Sequence, residues 1–201
     1  DFPLGGNGSG TFLRNLMEKV AKKHKVAIVA PERRTMPKVK QFRVHPPFQL
    51  PVFIGHPELK GSKLYKDLTP TEMAKLYKAY ITSTVRAVES FKPDIIHFQH
   101  LGLLSAVAHH VHVLTGVNYI ATTHGSDLKH MKEDKRFWDF ASPTIKDTKR
   151  ITAVSGHTRK WFLEMFNHNV NPGLSRKTNI IPGGINTSEH NKKQKTKSID
   201  S

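Results

Sequence analysis

Residues Tyr119 to Asp127 read Y-I-A-T-T-H-G-S-D. An apolar start, Tyr119-Ile120-Ala121, runs through two threonines into His124, Gly125, Ser126 and Asp127. The pattern predicts a strand that ends in a polar loop. In an open α/β sheet, ligands gather just beyond the carboxyl ends of the strands. Three more segments share the pattern: Asp94–His100, Ile151–Ser155 and Asn179–Gly184. Lys25–Ala30 is a further short buried strand, ended by Pro31. His124 is therefore expected at the edge of a crevice that several strand ends share.

Helical patterns separate these strands. Gly5, Gly6, Gly8 and Gly10 fall within six residues, and Phe12, Leu13, Leu16, Met17, Val20 and Ala21 follow at helical spacing. A glycine loop feeding a helix N-terminus can hold a phosphate through its free N–H groups. The loop is neither a G-x-x-x-x-G-K-[ST] loop nor a G-x-G-x-x-G fingerprint, and a flexible turn is the plainer reading. Thr69-Pro70-Thr71-Glu72 predicts a capping box with proline at the first helical position. That helix is expected to run to Phe91. Gly102–Thr115 reads as a helix with Leu103, Leu104, Val107, Val111 and Leu114 inward, and Ser155 can cap a helix through Phe166.

Strands alternating with helices at this spacing predict an α/β fold, a Rossmann-like mostly parallel sheet with helices on both faces. The chain opens at Asp1-Phe2-Pro3 rather than at methionine. A strand before the glycine loop is expected, because it would put that loop at a strand end like the others. Two stretches are harder to read. Residues 31–66 carry six prolines, and only short strands are expected there, at Gln41–Val44 and Val52–Ile54. Phe137, Trp138, Phe140 and Ala141 form an aromatic patch, either core or a lid under the site, and Pro143 is expected to break it. The end, Asn191–Ser201, is polar and lysine-rich.

The 201 residues carry 32 Lys+Arg against 16 Asp+Glu, a formal net charge of +16. Such an excess favours anionic partners: phosphorylated substrates, an anionic membrane surface or nucleic acid. No nucleic-acid-binding motif accompanies the charge, and the lysines are spread over helices and loops alike, so no nucleic acid is expected. The absence of cysteine excludes disulfides and thiolate chemistry. No apolar run approaches the ~20 residues needed to span a bilayer.

The chemistry concentrates in the loops. A Ser/His/Asp set could be drawn from Ser126 or Ser155, His124, and Asp127 or Asp94. There is no G-x-S-x-G elbow, however, and Ser126 lies too close to His124 in sequence. His109 and His112 sit three apart on one helix, but no carboxylate completes a ligand set, so they read as surface histidines and no metal is expected. His124 itself can position a hydroxyl, contact a sugar or pin its own loop. Asp127 can cap the helix that follows.

Five stretches in this order resemble the N-terminal domain of a GT-B-fold, family 4 retaining glycosyltransferase. They are Gly5-Gly6 with its helix, Lys92–His97, Thr122–Asp127, Ile151–Ser155 and Ile180–Asn186. The resemblance covers nearly the whole chain. It implies an acceptor-side domain over residues 1–186, and a basic linker over 187–201 leading toward a C-terminal donor-binding domain. His124 and Asp127 would be catalytic. Gly5, Gly6, Gly8 and Gly184 would face the sugar-nucleotide diphosphate. His97, His100, Gly125, Ser126 and Ser155 would line the substrate. The implied partners are a nucleotide sugar, acting as substrate rather than cofactor, and a carbohydrate, lipid-linked or phosphorylated acceptor. An anionic membrane surface is a further one, with Arg33, Arg34, Lys38, Lys40 and Arg43 as contacts. A cytoplasmic location, peripheral to a membrane, follows. A sugar-nucleotide epimerase of the same architecture, or a basic nucleic-acid-binding module suggested by the charge alone, is the alternative. The family's basic pair and two-glutamate motif belong to the second domain, so these residues alone are expected not to turn over.

Overall fold

The computed structural model describes residues 8–53, 60–167 and 169–184. Helix α1 (Gly8–Val20) precedes two parallel strands, β1 (Val26–Ala30) and β2 (Val39–Arg43). A 3-10 turn at Tyr65–Asp67 leads into α2 (Pro70–Phe91). Then come β3 (Ile95–Gln99), α3 (Leu103–Thr115), β4 (Asn118–Thr123), α4 (Ser126–Glu133) and α5 (Lys135–Asp147). The chain continues through β5 (Arg150–Ala153), α6 (Gly156–Phe166), α7 (Leu174–Lys177) and β6 (Thr178–Ile180). The fold is α/β, with parallel strands and helices packed on both sheet faces.

The caps that the sequence predicts are built. Thr69 Oγ1 accepts from Glu72 N at 3.2 Å, and Glu72 Oε2 accepts from Thr69 N at 2.9 Å. The helix stops at Lys92, which adopts the left-handed conformation (φ 52°) ahead of Pro93. Its buried face carries Met73, Leu76, Tyr80, Ala87 and Val88. Leu76 is fully buried, and burying such a side chain contributes about 1.5–3 kcal/mol.

Among the described residues the strands form two sheets rather than one: β1-β2, and β3-β4-β5-β6 in that order, all parallel. Gln99 pairs with Thr122, Thr122 with Thr152, and Ala153 with Ile180. This register brings the carboxyl ends of β3 to β6 to one edge, where chemistry collects in such sheets.

Four local expectations are corrected. Val52 makes a single bridge to Leu64 instead of opening a strand, and Ile54 lies outside the described residues. Leu114 is 67 % exposed, because nothing among the described residues covers the last turn of α3. Pro143 lies inside α5 and does not end it. A proline removes a helical N–H and normally breaks the helix. Here Phe137, Ala141, Thr144 and Ile145 on the same helix are buried and hold it in place. Ser142 Oγ also donates to Trp138 O at 2.8 Å beside the proline. His109 and His112 are half-buried rather than surface residues: His109 Nδ1 lies 3.3 Å from the Tyr119 hydroxyl, and His112 Nδ1 donates to Val117 O at 2.9 Å. Among the described residues, no group of three or more His, Asp or Glu side chains could hold a metal.

Candidate functional site

The β4 exit is the most heavily tied turn of the sheet edge. Gly125 takes φ 95°, a conformation that glycine adopts without strain. Asp127, fully buried in the first turn of α4, reaches back to it. Its Oδ1 accepts from the Thr123 hydroxyl (3.1 Å), from His124 N (3.1 Å) and from Gly125 N (2.8 Å). Its Oδ2 accepts from Leu101 N at 2.9 Å, across on the β3 exit. One carboxylate therefore satisfies three backbone N–H groups and locks two strand ends together. It bonds the backbone of His124, whose ring Nε2 faces Gln99, and Ser155 caps its own helix, so among the described residues neither Asp127 nor Ser155 joins the His124 ring in a triad.

The β3 exit is bent as sharply. His100 has φ 66° and Gly102 φ 126°, sparsely populated conformations that cluster at functional sites. A Cβ on Gly102 would stand 2.8 Å from the Phe137 ring. This geometry turns the buried His100 ring beneath His124, with centroids 4.4 Å apart and planes at 29°. His124 Nε2 lies 2.9 Å from Gln99 Oε1. The edge of Phe12, from α1, closes another side of the His124 ring at 5.3 Å and 88°.

Burial, and then the facing His100 ring, hold the His124 pKa well below its ordinary 6.5; Asp127 opposes this more weakly. Burial lowers His100 to about 3. His97 moves the same way through desolvation against its neighbours. Its outer surface stays exposed. A neutral imidazole offers one N–H donor and one lone-pair acceptor, the equipment for gripping a hydroxyl at neutral pH.

The β5 and β6 exits meet this centre. A Cβ on Gly125 would stand 3.7 Å from Thr158 Oγ1, at the start of α6. Ser155 Oγ accepts from Thr158 N at 3.0 Å and caps that helix. A Cβ on Gly183 would stand 3.2 Å from Phe12. Phe12 thus lies between the β6 exit and His124.

A family model described as Glycosyltransferase Family 4 matches residues 6–189. The chain belongs to glycosyltransferase family 4. Family membership supports a glycosyltransferase-like enzymatic role, with a general part in binding nucleotide sugar and acceptor. Among curated proteins, none matches the sequence.

In this family 4 chain the structure brings His100, His124, Gly125 and Asp127 together, with Ser126 opening α4 beside them and His97 two hydrogen bonds away from His124 through Gln99. Ser155 is near but spends its hydroxyl on its helix. Gly8 is the first residue of α1, and both it and Gly184 are exposed to open space. Gly5 and Gly6, like Ile185 and Asn186, lie outside the described residues. Two residues at the centre escaped the sequence reading. Phe12 reads there only as part of a helical stripe, and Gln99 only as a member of the Asp94–His100 run.

Proposed function

We propose that this chain is the acceptor-side half of a retaining glycosyltransferase, which transfers a sugar from a nucleotide-sugar donor to a carbohydrate, lipid-linked or phosphorylated acceptor. His124 contacts the transferred sugar. Asp127 serves it by holding the loop. Gly5, Gly6, Gly8 and Gly184 approach the diphosphate, while His97, His100, Gly125 and Ser126 border the acceptor. A second domain, following a linker at 187–201, holds most of the donor nucleotide. The observation that carries this reading is the His124 ring, clasped by Gln99, His100 and Phe12 where the strand ends converge.

The test is a panel of UDP- and GDP-sugars added to the chain while the His124 resonances are followed. A sugar nucleotide that shifts His124 without turnover is expected. Robust transfer by this chain alone would overturn its assignment as half of a site. In the enzyme carrying both halves, His124→Ala is expected to lower kcat by roughly 10²-fold, as for other preorganised polar contacts to a transition state. The exposed Arg33, Lys38 and Arg43 support a site of work at the cytoplasmic face of a membrane, where they would meet anionic lipid. Among the described residues no helix is long and apolar enough to cross a membrane. Vesicle binding indifferent to anionic lipid and to salt would remove the membrane from this reading.

A further inference from the structure

We propose that Gln99 is the positioning residue that decides which ring nitrogen of His124 carries the proton. The inference rests on the reading of His124 as a sugar contact; the geometry beneath it does not. The Gln99 carboxamide spans two histidines. Its oxygen is 2.9 Å from His124 Nε2, and its nitrogen is 3.2 Å from His97 Nε2. An amide oxygen only accepts and an amide nitrogen only donates. His124 Nε2 must therefore carry a hydrogen, and His97 Nε2 must present a lone pair. The two neutral rings are held as opposite tautomers by one side chain.

The rest of the network agrees with this order. His97 Nε2 is 2.7 Å from the Thr122 hydroxyl, which is itself 2.6 Å from that of Thr152. If Thr152 shares its hydroxyl hydrogen between Thr122 and Ala121 O, which lies 3.3 Å away, the Thr122 hydrogen is left to donate to His97 Nε2. The longer Gln99 contact is then the second arm of a shared bond on the same lone pair. The relay exists because the sheet register pairs Gln99 with Thr122, and Thr122 with Thr152. It crosses β5, β4 and β3 and ends at the loop after β4.

The consequence concerns substrate. With Nε2 protonated and engaged by Gln99, the ring's lone pair is on Nδ1. His124 then accepts a hydrogen bond from a sugar hydroxyl through Nδ1, rather than donating one to a ring or phosphate oxygen. A hydroxyl at the contacted position is required, and a deoxy or O-methyl sugar there loses the contact.

The proton position is read directly by long-range 1H–15N correlation on the 15N-histidine-labelled chain at pH 8, without sugar. His124→Gln and His97→Gln supply the assignments. The wild type is expected to show His124 as the Nε2–H tautomer and His97 as the Nδ1–H tautomer. Gln99→Glu puts an accepting oxygen against both rings, so His97 is expected to switch to Nε2–H while His124 stays. Gln99→Leu is expected to release His124 into a mixture of the two tautomers. The proposal is overturned if wild-type His124 carries its proton on Nδ1, or if Gln99→Glu leaves His97 unchanged. The near-isosteric Glu variant keeps the second test readable should the Leu variant fail to fold. No sugar is present, so a failure here leaves the transferase reading standing. If no nucleotide sugar or acceptor moves His124, that reading falls while the tautomer assignment stands.

Discussion

The turn leaving β4 and the turn leaving β5 do the same mechanical job and are built differently. Each ends a parallel strand and starts a helix at the same sheet edge. After β5, one hydroxyl suffices: Ser155 caps α6 at Thr158 N. After β4, the position before the helix is Gly125, which has no side chain to cap with and sits at φ 95°. The buried Asp127 carboxylate does that work from inside the helix, and reaches across to Leu101 as well. A cap alone therefore does not explain the β4 turn. Its extra ties hold the ring of His124 over His100 and against Gln99.

The contrast can be broken by substitution, most severely at Asp127. Asp127→Ala strands three backbone donors, at Leu101, His124 and Gly125, and is expected to cost roughly 3 kcal/mol or more, at about 1–3 kcal/mol per unsatisfied buried group. Urea denaturation checks this, and a loss no greater than that of Ser155→Ala would erase the distinction between the turns. Gly125→Ala is next. Thr158 leaves room for the methyl group, so the cost is the backbone conformation alone, about 1–3 kcal/mol.

A third comparison uses pH, since the β3 exit carries the buried His100. The His100 pKa falls from 6.5 to about 3 on folding, so below 6.5 the unfolded chain binds a proton that the folded chain refuses. Its contribution to stability is complete above pH 6.5 and is lost as pH falls toward the folded value. His100→Gln is expected to flatten the acid branch between about pH 4 and 6 by about 1.4 kcal/mol per pH unit, the linkage slope of one proton. Stability measured against pH decides it, and an unchanged slope would show that His100 titrates normally. Ser155→Ala should have the smallest effect, about 1 kcal/mol, the usual worth of an N-cap.

Much of this architecture was legible before folding was considered. The box at Thr69 and Glu72, the Ser155 cap and the alternation of strand and helix are local signals, set by hydrogen bonds within a few residues and by side-chain period. Where local signals misled, burial had overruled them. Pro143 marks a break on propensity, yet the buried Phe137, Ala141 and Ile145 keep α5 continuous through it. Leu114 sits on the apolar stripe of α3 and still faces solvent, because periodicity names a face without saying how far its cover extends.

The sequence by itself determined the order of elements, the parallel class of the fold and the prominence of the His124 loop, since each follows from short-range pattern. Only the tertiary structure decided what surrounds that histidine. Gln99 stands 25 positions away in the chain, and Phe12 farther still. Nothing local couples them to His124; the parallel register and the packing of α1 do. Asp127 changed in the same way. In sequence it is a carboxylate beside a histidine, equally a catalyst or a cap. In the fold its oxygens are directed at the backbone N–H groups of two strand ends, because buried donors must be satisfied and this carboxylate reaches all three.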